Sequence, residues 1–308
     1  MLILNLEPEG YSNKARQKLQ AVANYCESDA PSDYVCRHAS VIIMRIGYEV
    51  NEEFFKTFPN VRIIGTNVTG LDHIDLELCE NRQVSVISLR SDPVALAKIR
   101  ASAEYTVALS FALIRQIPQS YGGILRGQRG AWDRYAFKGL LLSELKVGII
   151  GYGRNGQIIG DLLDQLKVDF YWTDITEKQS KQDKARPLNQ LLSECNLIML
   201  CIDHNKANIK FFDKEKFNLM PERSFFVNTS RGDLVAEEDL LEALRSGRLT
   251  AAATDVISDE RAPWRSSLVD HALKFQNLVI TPHIAGCCEG SWRETEEIIA
   301  TKIASILC

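Results

Sequence analysis

The 308-residue chain has no Cys-x-x-Cys pair and no Cys/His cluster at zinc spacing. Its strongly apolar runs, such as LIML at Leu197–Leu200, fall far short of the roughly 20 residues that cross a bilayer. Basic excess is lacking too: 36 Lys and Arg against 40 Asp and Glu give a net charge of -4. These absences argue against a structural zinc site, a membrane span and a broad phosphate-neutralising face for nucleic acid. The eight cysteines therefore read as reduced packing thiols, and no metal is expected. The opening MLILNLEPEG has no basic segment before its apolar run, so it reads as a first strand and not a signal peptide. A cytoplasmic protein is the expectation.

An ordinary apolar fraction of 45% and a length above the usual single-core limit of about 250 residues point to two globular domains. Short apolar runs alternate with helix-like segments throughout, the pattern of parallel sheets covered by helices. The first part offers LILNL, SVIIMRI (Ser40–Ile46), VRIIG and VSVISL as strands. A long apolar segment, Ala101–Ile117, has helical periodicity and is expected to stop at Pro118. Beyond it come KVGII, VDFYWTD, NLIMLCI, RSFFVNTS, LTAAATDV and NLVIT, a six-strand count that suits a dinucleotide fold.

The first of these strands runs into Gly151, Gly153 and Gly156 at the head of an amphipathic segment. A bare GxGxxG says little. In this setting the first glycine permits a tight turn, the second lets backbone N–H groups approach a pyrophosphate, and the third allows close helix packing. Asp174 follows 18 residues after Gly156, at the end of the next strand. A carboxylate there can accept from ribose hydroxyls and would repel a 2′-phosphate, so NAD is favoured over NADP, with Lys178 and Lys181 nearby as the counter-argument.

Three more charged residues fall just after strands: Arg231 after SFFVNTS, Glu260 after AAATDV, and His283 after NLVITP. Each alone reads equally well as a surface or packed loop residue. Together they supply a fork of donors for a 2-oxo acid, a base for the hydroxyl proton, and a carboxylate to fix the base's tautomer. The vicinal Cys287 and Cys288, close to His283, have no metal partners at useful spacing and read as small packing residues, with a redox pair as the alternative.

GIIGYGRNG, NTSRGDLV, the TDV stretch with Glu260, and TPHIAG resemble, in this order, the signatures of the D-isomer-specific 2-hydroxyacid dehydrogenases, a family that includes 3-phosphoglycerate dehydrogenase. The resemblance implies an α/β chain of two doubly wound parallel-sheet domains. One is a Rossmann NAD-binding domain over 99–285; the other is a smaller flavodoxin-like substrate domain over 1–98, completed by 286–308. It implies NAD-dependent transfer of a hydride between the cofactor and C2 of a D-2-hydroxy acid. His283 would be the acid/base, Glu260 its partner, and Arg231 the substrate-binding group. Gly151, Gly153, Arg154, Asn155, Gly156, Asp174, Thr229 and Asp255 would hold the cofactor, Asp255 at the nicotinamide carboxamide. Arg45, Thr69 and Gly70 would bind substrate, Thr69 and Gly70 through backbone N–H groups in NVTGLDHIDL.

Family members are commonly dimers joined through the region matching residues 101–138, so a homodimer is implied, with Trp132 as a candidate anchor. Several positions depart from the pattern. Cys201 and Asp203 stand where the family usually has a histidine and a proline, and AEY at Ala103–Tyr105 replaces a frequent AEH. The stretch LRSDPVALAKIRASAEY is longer than in the phosphoglycerate enzyme and borders the expected substrate site. The family also contains transcriptional co-repressors, which makes an NAD(H)-sensing interaction protein the rival expectation.

Overall fold

A computed structural model of the chain describes residues 1–90, 92–127 and 132–308. They divide into two compact units, 1–99 with 287–308, and 100–286.

In the smaller unit the strands are β1 (Leu2–Asn5), β2 (Asn24–Glu27), β3 (Ala39–Met44), β4 (Ile63–Thr66) and β5 (Ser85–Ile87). All pair in parallel in the order β2-β1-β3-β4-β5, the 2-1-3-4-5 arrangement of flavodoxin-like sheets. The edge strand β2 was not among the expected strands: NYCE is polar at both ends and has no fully buried residue. Alternation along β3 and β4 sends Ile42 and Ile64 to a layer with Phe54, Phe55 and Phe58, and Val41 and Ile63 to the opposite layer. That second layer is closed by the helix Glu289–Leu307 through Ile299, Ala300 and Ile303. Gly65 permits the close approach, since a Cβ there would lie 2.6 Å from Ile303 Cδ1.

The larger unit carries β6 (Val147–Ile150), β7 (Phe170–Thr173), β8 (Leu197–Leu200), β9 (Ser224–Asn228), β10 (Leu249–Thr254) and β11 (Leu278–Ile280). These match the six expected strands and form one parallel sheet in the order β11-β10-β9-β8-β6-β7. Strand order reverses between β6 and β8, the switch point where ligands of open α/β sheets bind. No further strand lies outside β7 among the described residues; Trp172 makes only an isolated bridge to Ala185. β8 and β9 are buried along their whole length, as expected of central strands covered on both faces.

The long apolar helix differs from expectation. It spans Ala101–Ile114, and a second helix, Ile117–Leu125, begins after Gln116, whose φ of +53° is left-handed. Pro118 lies in the first turn of that second helix, where its missing N–H leaves no hydrogen bond unmade, so it opens a helix here and does not end one.

The cysteine expectation holds for Cys36, Cys79 and Cys195, which are buried. It fails for Cys287 and Cys288: both are exposed, in the two positions that lead into Glu289–Leu307, where no apolar layer covers them. Among the described residues no group of His, Cys, Asp and Glu is arranged to hold a metal ion, and no helix is long and apolar enough to cross a membrane.

Candidate active site

Register brings the C-terminal ends of five strands level, with Ile150, Leu200, Asn228, Thr254 and Ile280 as successive partners. The segments that follow therefore start side by side, about 4.8 Å apart. The first is the glycine turn. Gly151 has φ +94°, and a Cβ there would come within 2.6 Å of the Cys201 carbonyl oxygen. At Gly156 a Cβ would sit 2.2 Å from the Gly151 carbonyl oxygen. Both positions thus require glycine for packing. Gly153 is different: a Cβ there would meet nothing within 4 Å, so the chain leaves open space at the N-cap of the helix Arg154–Gln165.

That helix has no side-chain cap, and Arg154 and Asn155 stand in its first turn, the end of a helix that favours an anion. Buried Asn155 Oδ1 has no hydrogen-bond partner. Burial holds the Arg154 guanidinium below its ordinary pKa, and the Asp203 carboxylate pulls the other way. Asp174, directly after β7, accepts from Tyr152 N–H at 2.8 Å and from Thr176 N–H and hydroxyl at 2.9 and 2.8 Å. Burial alone would raise its pKa; these bonds and the Lys178 ammonium at 3.8 Å override that and hold it below the ordinary value. Lys181 is tied to Asp161 and Asp164, on the Arg154–Gln165 helix. An open N-cap, a carboxylate at the next strand end and an orphaned amide oxygen fit a dinucleotide.

After β9, the Thr229 hydroxyl meets that of Thr106 at 2.6 Å. Arg231 follows, its carbonyl bonded by Asn228 Nδ2 and its guanidinium bonded to the Ser230 carbonyl at 2.8 Å. After β10 comes Asp255, only 1% exposed. Its carboxylate accepts from Thr281 hydroxyl (2.6 Å), Ile284 N–H (3.0 Å) and Ala285 N–H (2.8 Å), and its carbonyl accepts from His283 N–H (2.8 Å). A carboxylate has about four acceptor positions, so three are used in holding the histidine loop. Spacing alone did not reveal this organising role of Asp255 and Thr281.

His283 adopts φ +53°, a strained choice for a non-glycine residue, which the three bonds to Asp255 on its flanks sustain. The outcome is that its Nδ1 meets Glu260 Oε2 at 2.7 Å, across 23 residues of sequence. Both side chains stay partly open, at 25% and 37% exposure. Nδ1 thus faces a carboxylate, the arrangement that fixes which ring nitrogen carries the proton.

In the smaller unit, Thr69 and Gly70 are half-buried in the segment after β4, and Arg45 directly follows β3. The Arg45 guanidinium donates to Glu296 Oε1 (2.7 Å), Glu7 O (2.9 Å) and Glu9 O (3.0 Å), and it lies 4.5 Å from the Trp292 ring centroid. A broad recess of about 1090 Å³ on the same unit, bordered by Lys14, Lys18, Ile87 and Lys302, contains none of the candidate site residues.

The family model for the D-isomer specific 2-hydroxyacid dehydrogenase, NAD binding domain, matches residues 107–285. The chain belongs to this family. The glyoxylate reductase/hydroxypyruvate reductase of Mus musculus is 32% identical over 250 residues, covering 79% of this chain and 73% of that protein. The D-3-phosphoglycerate dehydrogenase of Methanocaldococcus jannaschii is 28% identical over 276 residues, 88% of this chain and 50% of its own length. The chain thus spans about half of that family member. Among solved structures, the D-lactate dehydrogenase of Aquifex aeolicus, complexed with NAD and lactic acid, superposes with a TM-score of 0.83 over 99% of this chain and 95% of that one. At 19% identity that likeness speaks for the fold alone.

Proposed function

We propose that the chain is an NAD-dependent dehydrogenase acting at C2 of a D-2-hydroxy acid or its 2-oxo acid counterpart. The observation that carries this reading is the 2.7 Å His283–Glu260 contact at the strand-end edge that also bears the glycine turn. NAD bound there would supply the two-electron acceptor for the C2 hydrogen. The chain's own residues do the rest. Gly151, Gly153, Arg154, Asn155 and Gly156 hold the pyrophosphate, Asp174 the adenosine ribose, and Thr229 lines the cofactor site. The fourth acceptor position of Asp255 takes the nicotinamide carboxamide.

In oxidation, His283 Nε2 takes the substrate hydroxyl proton while Glu260 stabilises the imidazolium through Nδ1; in reduction it returns the proton to the carbonyl oxygen. Arg231 binds the substrate and polarises that oxygen; in the smaller unit Thr69 and Gly70, through backbone N–H groups, and Arg45 are the substrate-binding residues of this reading. The 2′-phosphate of NADP would meet the ionised Asp174, which supports NAD. Residues 1–98 with 286–308 act as the substrate domain, and 99–285 as the cofactor domain, within a cytoplasmic enzyme.

A homodimer is also part of this reading. Tyr121, Leu125, Trp132 and Tyr135 are 64%, 68%, 89% and 82% exposed, an apolar set that a second copy would cover. Residues 128–131 of the region expected to join the copies lie outside the described residues. The deciding experiment is NADH oxidation across small, phosphorylated and sugar-derived 2-oxo acids. Turnover of one or more is expected; none, together with a protein partner whose binding depends on NADH, would turn the reading into a sensor.

A further inference from the structure

Arg45 stands at the C-terminal end of β3, and the segment holding Thr69 and Gly70 follows β4, the next strand in the sheet. Asn67, at the start of that segment, donates to the Thr295 hydroxyl at 3.3 Å, one residue before Glu296. This strand-end pole is where ligands of such sheets bind. A lone arginine there would attract a substrate's second anion. Arg45 is not alone: Glu296, with no exposed surface, faces it at 2.7 Å and is fixed by Ser12 N–H at 2.7 Å. The Glu7 carboxylate accepts Arg45's own backbone N–H at 2.6 Å, so Glu296 is the carboxylate paired with the guanidinium. Trp292 covers the guanidinium at 4.5 Å. Arg90, exposed after β5, lies two strands from β3, about 10 Å away.

We infer that the Arg45–Glu296 pair under Trp292 makes the substrate-facing pole of the smaller unit charge-neutral, and that the chain therefore selects 2-oxo acids with one negative charge over phosphorylated ones. This rests on the dehydrogenase reading above. Glu296 is a positioning residue: it touches Arg45, not substrate. A phosphate would have to displace Glu296 from the guanidinium, whereas a hydroxymethyl group or hydrogen needs only the flat arginine–tryptophan surface.

The test is NADH oxidation by the full chain with hydroxypyruvate and 3-phosphohydroxypyruvate, probes that differ only in the second anion. The expected kcat/KM favours hydroxypyruvate by about tenfold or more, the factor one unfavourable charge contact makes at an exposed site. Glu296→Gln, which leaves the guanidinium unopposed, should narrow that ratio by about threefold or more. Trp292→Leu, which uncovers the same group, should narrow it in the same direction and serves if the first variant folds poorly. A ratio within one preparation is independent of the folded fraction. Equal or better use of the phosphorylated probe, or a ratio unmoved in both variants, overturns the inference while leaving the dehydrogenase reading standing. Loss of phosphorylated turnover in Arg90→Ala would then identify the cation responsible. No turnover of either probe or of glyoxylate removes the dehydrogenase reading, and this inference with it.

Discussion

Two acid–base contacts, one in each unit of the chain, have the same length. His283 meets Glu260 at 2.7 Å and Arg45 meets Glu296 at 2.7 Å. Distance therefore does not distinguish chemistry from architecture; surroundings do. The histidine pair is 25% and 37% exposed and stands on a loop with a left-handed backbone. The arginine pair is 12% and 0% exposed, stacked under a tryptophan and anchored to three further backbone groups. Burial raises the Glu296 carboxyl above its ordinary pKa, with Arg45 and the Ser12 N–H pulling against that rise. The open pair is reachable from solvent; the closed one holds strand β3 to the last helix.

Breaking each pair should give opposite signatures. His283→Ala is expected to lower kcat about 10³-fold with NADH affinity, read by fluorescence titration, largely unchanged. Glu296→Ala should cost about 3–5 kcal/mol in urea unfolding, because it leaves a buried guanidinium unpaired. If His283→Ala destabilised the fold as much, or left turnover intact, the contrast between the pairs would collapse. Glu260→Gln keeps the shape of the open pair and removes the charge. A drop in kcat of about 10²-fold with little change in KM is expected, since the imidazolium then lacks its counter-ion.

Much of this was legible in the sequence. Six strands of the larger unit were readable because each is a short apolar run bounded by turn residues, and the glycine turn because its spacing is dictated by sterics at Gly151 and Gly156. Strand β2 was not, because an edge strand with polar ends carries no hydrophobic pattern. Pro118 was misread because proline stops one helix and starts another by the same chemistry, and only the left-handed Gln116 decides which. The Arg45–Glu296 pair spans 251 residues, and nothing local to either residue announces it. Cys287 and Cys288 look apolar in composition, yet what covers a residue just ahead of a helix is a tertiary matter.

The glycines extend the comparison to backbone. Gly153→Ala points its Cβ into open space, so thermal stability should change little while NADH affinity falls about tenfold if a pyrophosphate occupies that space. Gly156→Ala, 2.2 Å from the Gly151 carbonyl oxygen, should instead lose about 1–3 kcal/mol of stability. Equal NADH affinity in Gly153→Ala and the parent would remove the pyrophosphate from this turn.

Asp174 sits between the two extremes, with 11% of its side chain exposed but three donors on its carboxylate. Its folded pKa lies below the ordinary 3.8, so its contribution to stability is complete above the unfolded value and disappears as pH falls through the lowered folded one. Asp174→Asn should therefore be less stable than the parent at pH 7 by about 1–2 kcal/mol, the worth of charge-assisted hydrogen bonds, and the gap should close only below pH of about 4. Paired urea titrations across that range measure it. A gap that persisted unchanged into strong acid would mean the carboxylate's charge contributes nothing there. The argument that the same charge repels a 2′-phosphate would then lose its footing as well.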